Sequence, residues 1–324
     1  MEPLVSVVVI TYNQEDSLSK VLDSILAQDC SFGFEVVVGE DCSKDNTRKV
    51  LENYSAENPD RIIPVYHESN VGILKNFISA VTRAKGKYLA FCDGDDYWID
   101  SRKLAKQVAV MEEDHTIGLV YSDVLVNSVI TGESYYRRMQ CPRQDLFTQL
   151  LEGNIIVSST VCMRRELLRF VDFEMFVKQG FKMEDYPMWL SLSLHTKFYY
   201  LKEASACYVI TREVVNDKDA SFHALSFDEN TTLIKLYYQN KFASETRLTR
   251  NDILDTHNTL CYKCGLNMND REFTLKYVDF ISNKTPYIKR LAMICKSPGL
   301  FWMYQFYRKL TGKQRTPLQM YFGM

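Results

Sequence analysis

The chain opens on an apolar, β-branched run over residues 4–11, the pattern of a strand buried on both faces. Over residues 17–27 the spacing changes. Leu18, Val21, Leu22, Ile25 and Leu26 recur three and four positions apart, which predicts an amphipathic helix. The alternation then repeats. Residues 35–38, 62–66 and 88–92 read as strands, with helices over 45–54 and 73–84 between them and Asp45 as a candidate cap. Strands spaced by helices of this length predict right-handed parallel βαβ units with helices on both sides of the sheet. After Arg102 the rhythm loosens. A helix is expected over 103–111, a strand over 117–129 with a turn at Thr131-Gly132, a short helix over 145–151 and a short strand over 160–163. Then follow a helix over 184–194, strands over 198–201 and 206–211, and a helical stretch over 227–283. The expected fold class is α/β: a Rossmann-like, mostly parallel or mixed sheet flanked by helices, with a mainly helical C-terminal extension. Asn216-Asp217-Lys218-Asp219 interrupts the pattern, so the division is expected at 1–220 and 221–324, the first part falling into halves 1–115 and 116–220.

Composition narrows the function without naming it. The 324 residues are 46% hydrophobic and 25% charged, with a net charge of -2. This suits a soluble globular protein and leaves no global field to recruit nucleic acid. No apolar stretch approaches the ~18 residues of a membrane span, and the acidic start Met1-Glu2 is not expected to be a signal peptide. Nine cysteines without a regular framework point to a reduced, cytoplasmic setting. Cys261 and Cys264 form a lone CxxC, read as core-facing helix residues rather than a zinc site. Residues 284–324 hold eight Lys or Arg and no acid, with Phe301, Trp302, Tyr304, Phe306, Tyr307, Tyr321 and Phe322 among them. Such a tail could dock on an anionic membrane or pack its aromatics on its own domain. The breaks expected at Pro298 and Pro317 favour packing.

Candidate chemistry gathers at the strand ends. Asp93-Gly94-Asp95-Asp96 follows the fourth strand, where open α/β sheets bind ligands. Carboxylates this close repel unless a cation or hydrogen-bond donors compensate. The cluster reads either as a metal–diphosphate site or as a solvated acidic turn. Thr11-Tyr12-Asn13 ends the first strand at the same edge, although turn chemistry alone explains Asn13. Glu40-Asp41 ends the second strand. Asp41 could accept a base N–H such as uracil N3–H or simply belong to an acidic loop. Asn70-Val71-Gly72 follows the third strand, with a glycine suited to positive φ. Lys75, one helical turn on, could meet a phosphate or face solvent. Glu184-Asp185 starts a helix, where acids complement the dipole or could serve as a base.

The motifs Val5-Ser6-Val7-Val8-Val9-Ile10-Thr11-Tyr12-Asn13, Glu40-Asp41-Cys42-Ser43-Lys44-Asp45-Asn46-Thr47, Asn70-Val71-Gly72, Asp93-Gly94-Asp95-Asp96 and Glu184-Asp185, in that order, resemble the family-2 inverting glycosyltransferases of GT-A fold. The resemblance spans roughly residues 4–212. Glu40 stands where that family usually has Asp, Cys42 where Gly is common, and Gly39 where a β-branched residue is usual. The resemblance implies that Thr11, Tyr12 and Asn13 line the nucleotide pocket, with Glu15, Asn70, Gly72 and Gly94 beside them. Asp41 would take the uracil N3–H and Lys75 would lie near the diphosphate. Asp93 would meet ribose or metal, Asp95 would bind the metal supported by Asp96, and Asp185 would be the base with Glu184 adjacent. It further implies Mn²⁺ or Mg²⁺, a UDP-sugar donor, and a saccharide or lipid-linked saccharide acceptor in polysaccharide biosynthesis, with no nucleic-acid partner. The setting would be cytoplasmic, or peripheral at the inner face of the membrane through 284–324. Ser158, Ser159, Trp189 and His223 are the acceptor-site candidates. Two rivals remain. A sugar nucleotidyltransferase would carry a glycine-rich loop after the first strand, which the Thr11–Glu15 segment lacks. A non-catalytic nucleotide-sugar-binding protein would bind donor without turning it over.

Overall fold

The computed structural model describes residues 2–129, 131–210 and 217–311. The chain divides into two compact units, 1–212 and 213–324. In the first unit β1 (Val5–Thr11), α1 (Leu18–Leu26), β2 (Phe34–Glu40), α2 (Thr47–Glu57), β3 (Ile62–Tyr66), α3 (Ile73–Arg83) and β4 (Tyr88–Asp93) alternate strictly. The strands lie parallel in the order β3-β2-β1-β4. Val7 pairs with Val36 on one side and Ala90 on the other. Val5, Val7 and Val9 pack with Leu18, Val21, Leu22 and Ile25 of α1 in one core. On the next strand position Phe91 meets Phe77 of α3, ring centroids 5.6 Å apart. Both faces of β1 and β4 are therefore covered, which is why their sequences are continuous apolar runs rather than alternating ones.

The remaining strands extend this sheet: β5 (Tyr97–Trp98), β6 (Ile117–Ser128), β7 (Ser134–Arg137), β8 (Cys162–Arg164) and β9 (Lys197–Ile210). They are joined through α4 (Lys103–Glu113), α5 (Leu146–Glu152), α6 (Phe173–Gln179) and α7 (Asp185–Leu192). β8 runs antiparallel between β4 and β6, β9 lies parallel to β6, and β5 closes the edge antiparallel to β9. The two strands expected over 198–201 and 206–211 are one. Ser122 pairs with Leu201, Asp123 with Ala204 and Val124 with Ala206, so Lys202, Glu203 and Ser205 bulge out of register. That polar bulge reads as a break in sequence although the strand continues through it.

The described part of the second unit is built from α8 (Asp217–Lys241), α9 (Arg250–Asn267), α10 (Arg271–Phe280), α11 (Pro286–Lys296) and α12 (Pro298–Leu310). Thr249 and Asp252 make a reciprocal capping box on α9. The break expected at Pro298 is present, since α11 ends at Lys296 and Pro298 opens α12, with the Ser297 hydroxyl accepting from the Leu300 amide. A first-turn proline gives up no hydrogen bond. Cys261 and Cys264 are both buried in α9, packed with Ala224 and Leu225. Pro317, Tyr321 and Phe322 lie outside the described residues. No described helix is long and apolar enough to cross a membrane.

Candidate active site

The site lies at the carboxyl ends of β1, β2 and β4, where the chain, having stepped outward from β1 to β3, returns to β1's other side with β4. Such a switch point opens a crevice between the loops. The β1 and β2 loops are laced together across it. The Thr11 hydroxyl and the Tyr12 amide both donate to Gln14 Oε1, at 2.7 and 3.2 Å. Asn13 takes a left-handed φ of 53°. Its amide donates to the Ser43 hydroxyl and its Oδ1 accepts from the Lys44 amide. Glu15 Oε2 accepts from both the amide and the Nδ2 of Asn46. The polar atoms of Asn13 and Glu15 thus hold loop to loop, whereas Tyr12 leaves 37% of its surface open. Gly94 closes the corner. The Ser17 hydroxyl donates to its carbonyl at 2.7 Å, and a Cβ on it would lie 2.2 Å from Gln14 Oε1. A side chain there would push the Gln14 and Thr11 side chains out of place.

Asp41 is buried and spans the next loop. Its Oδ1 accepts from the Val71 amide at 2.7 Å and its Oδ2 from the Gly72 amide at 2.9 Å, while Asn70 Nδ2 donates to its carbonyl. Each carboxylate oxygen keeps a second lone pair. Gly72 has φ 85°, which leads the backbone into α3. Lys75, in the first turn of α3, is exposed. The departures at 39, 40 and 42 have local reasons. A Cβ at Gly39 would meet Asn76 Oδ1 at 2.3 Å, and Asn76 Nδ2 donates to the Gly39 carbonyl. The longer Glu40 side chain reaches both the Ser43 amide and Arg48. Cys42 has φ 56°, a region costing an L-residue about 1–2 kcal/mol. Cys42→Gly is expected to stabilise the chain by about 0.5–1 kcal/mol in chemical denaturation, the relief being partly offset by unfolded-state entropy.

The acids converge from two distant segments. Asp93 ends β4, and Asp185 begins α7 with Glu184 as its N-cap. Burial pushes the Asp93 carboxyl up to about 7, and the charges of Asp95 and Asp185 push the same way. Burial also lifts Asp185 to about 6, against the amides of Tyr186 and Asp185 and the side chains of Trp189 and Asn154, which favour the ionised form. The Tyr186 amide donates to Asp185 Oδ1 at 2.6 Å. Asp95 is raised by burial, with its own amide and the Gln14 side chain opposing. Glu184 is held well above the usual range by burial and then by Asp185 and Asp93.

Asp96 differs from its neighbours. It is 1% exposed. Its Oδ1 accepts from the Val209 amide of β9 at 3.0 Å, and the Ser159 side chain also favours its ionised form. The resemblance implies Asp95 as metal ligand with Asp96 in support; in the structure the Asp96 carboxylate is enclosed and braces the turn against β9. Ser158, Ser159 and Trp189 are buried as well, and the Trp189 side chain faces Asp185. His223 belongs to α8 of the second unit.

Three site residues escape sequence reading. Gln14 joins Thr11, Tyr12 and Asp95. Asn154 faces Asp185. Tyr208 of β9 has its hydroxyl pushed up by burial and by Asp96, Asp95, Asp93 and Asp185 together. Only Gln14, adjacent to the Thr11-Tyr12-Asn13 motif, lay within reach of a motif search.

Among the described residues no three His, Cys, Asp or Glu stand close enough to cage a metal ion by themselves. The donor set is nonetheless one a hard divalent cation fits. It consists of buried carboxylates, Asp93 raised by burial and by the charges of Asp95 and Asp185 and Asp95 raised by burial, of the kind that completes a cation's coordination together with substrate phosphate oxygens.

A parallel β3-β2-β1-β4 half continued by a mixed half, with acids collected past β4 and at α7, defines the GT-A class. The chain belongs to glycosyl transferase family 2, whose profile matches residues 6–171. It is 34% identical over 169 residues to the protein Rv1520 of Mycobacterium tuberculosis, covering 50% of this chain and 47% of that one. It is 32% identical over 190 residues to the UDP-Glc:alpha-D-GlcNAc-diphosphoundecaprenol beta-1,3-glucosyltransferase WfgD of Escherichia coli, covering 58% of this chain and 69% of that one. The chain spans about half the length of its mycobacterial relatives. The mannosyltransferase PcManGT of Pyrobaculum calidifontis, solved with GDP-Man and Mn²⁺, superposes with a TM-score of 0.57 at 16% identity, over 98% of this chain and 86% of that one. At that identity the likeness is one of fold.

Proposed function

We propose that this chain is an inverting glycosyltransferase that moves a sugar from a UDP-sugar to a saccharide or lipid-linked saccharide acceptor. The observation that carries the reading is the convergence of Asp93, Asp95 and Asp185 from β4 and α7 at the switch point. The donor specificity leans on Asp41, whose remaining lone pairs suit a base N–H, and on the open Tyr12 ring, which suits a nucleobase face. Asn13, Glu15, Asn70, Gly72 and Gly94 shape this pocket through the backbone and loop bonds described above. The diphosphate would lie toward Lys75 and Asp93. Asp95, with Asp93, would hold Mn²⁺ or Mg²⁺, which when bound neutralises charge on the departing diphosphate. Asp96 braces that turn from beneath.

Asp185 acts as general base. Its ordinary pKa is raised only to about 6, so it is largely ionised at neutral pH and still basic enough to accept a proton. The acceptor hydroxyl attacks the anomeric carbon and passes its proton to Asp185. The new C–O bond forms as the bond to the diphosphate breaks, UDP leaves with the electron pair, and a single displacement inverts the centre. Glu184, buried beside Asp185, is held well above the usual carboxyl range by burial and by the charges of Asp185 and Asp93. The chemistry needs no second carboxylate nucleophile of the kind retaining glycosidases use.

A UDP-release screen of purified protein against several nucleotide sugars with Mn²⁺ tests this. UDP release with one donor, acceptor-dependent and stopped by EDTA, is expected. Nucleotide binding without release would favour a binding protein, and pyrophosphate formation from a nucleoside triphosphate would favour a nucleotidyltransferase.

A further inference from the structure

We infer that the outward side of α12, together with the exposed basic residues Lys289, Arg290, Lys296 and Lys309 of α11 and α12, docks on an anionic phospholipid bilayer. The helix has 13 residues, about 20 Å of length. One side anchors it. Phe301, Gln305 and Arg308 are buried; the Arg308 guanidinium donates to Gln305 Oε1 and Asn267 Oδ1, and Gln305 Nε2 donates to the Leu266 carbonyl. The other side exposes Leu300, Trp302, Met303, Phe306, Tyr307 and Leu310, each by half of its surface or more. The Trp302 and Phe306 rings stack at 5.7 Å. A helix on the surface of a soluble protein shows polar residues there, and a contiguous apolar face marks an interaction site.

Charge selects the partner. Residues 284–311 hold six Lys or Arg and no Asp or Glu, and Lys289, Arg290, Lys296 and Lys309 are exposed. Tryptophan and tyrosine beside lysine and arginine suit the headgroup level of a membrane. A second copy of this chain would bring the same positive charges against these. No described helix can cross the bilayer, so the contact is interfacial. The proposal stands on this surface and does not depend on the reaction assigned to the first unit.

Co-sedimentation of the full chain with vesicles tests it, using phosphatidylcholine alone or mixed with phosphatidylglycerol. Binding to the anionic vesicles is expected to be at least about tenfold tighter and to weaken with salt. The double variant Trp302→Ser/Phe306→Ser should lose about tenfold or more, and Lys289→Glu/Arg290→Glu should abolish the lipid preference. Circular dichroism checks that both variants fold. Undiminished binding by both variants, or equal binding to neutral vesicles, would overturn the proposal. So would a lipid-free dimer that the Trp302→Ser/Phe306→Ser variant dissociates, since the face would then belong to a second copy. Vesicle binding is read without turnover, so its failure leaves the glycosyl-transfer reading untouched, and the reverse holds.

Discussion

Asp185→Asn is expected to lower kcat by about 10²–10⁴-fold, the contribution of a positioned base, while UDP affinity stays within about twofold of wild type. The amide has nearly the shape of the carboxylate, and its oxygen can still accept from the Tyr186 amide that now holds Asp185 Oδ1. What it loses is the ability to take a proton. Isothermal titration with UDP and Mn²⁺, beside acceptor-dependent UDP release, separates the two effects. A variant with near-normal kcat would remove Asp185 from the role of base. Loss of UDP affinity equal to the loss of rate would make it a binding residue instead.

The second large effect concerns the cation. Asp93 and Asp185 carry folded-state values of about 7 and about 6 against an ordinary 3.8. A carboxyl raised in this way favours the fold while it is protonated. That contribution is whole below pH 3.8 and is lost as pH rises through 6 to 7. With EDTA present, the first unit should therefore lose stability between mildly acidic and mildly alkaline pH. Mn²⁺ should restore it, by about 2–3 kcal/mol at a hundredfold excess over its Kd, because the ion replaces protons as the countercharge. The gain should shrink at acidic pH, where protons compete for the same oxygens. Asp95→Ala should abolish the Mn²⁺-dependent rise in Tm and the Mn²⁺ dependence of UDP binding. A metal-induced stabilisation equal at both ends of the pH range, or unchanged in Asp95→Ala, would remove Asp95 as ligand.

The parallel half of the sheet was legible in the sequence because β1, β2 and β4 are covered on both faces and so read as unbroken apolar runs. The acids were legible for a related reason, since each follows such a run or begins a helix. Other features depend on tertiary placement. The β9 strand hides behind its Lys202-Glu203 bulge, and β5, with only two residues, has no period to detect. Asp95 and Asp96 are adjacent in sequence, but only the fold shows that Asp96 is bound to Val209 of β9. Tyr208 and Asn154 join the acid cluster from segments with no motif around them. The outward aromatic face of α12 was half visible. Composition showed basic and aromatic residues together, and the structure divides the aromatics into buried Phe301 and exposed Trp302 and Phe306.

The most direct measurement is a crystal structure grown with UDP and Mn²⁺, with anomalous scattering collected for manganese. It should show one manganese peak between Asp95 and the diphosphate, the uracil edge against Asp41, and Asp185 facing the open side of the site. A nucleotide bound elsewhere, or manganese absent from Asp95 while UDP occupies the crevice, would contradict the account.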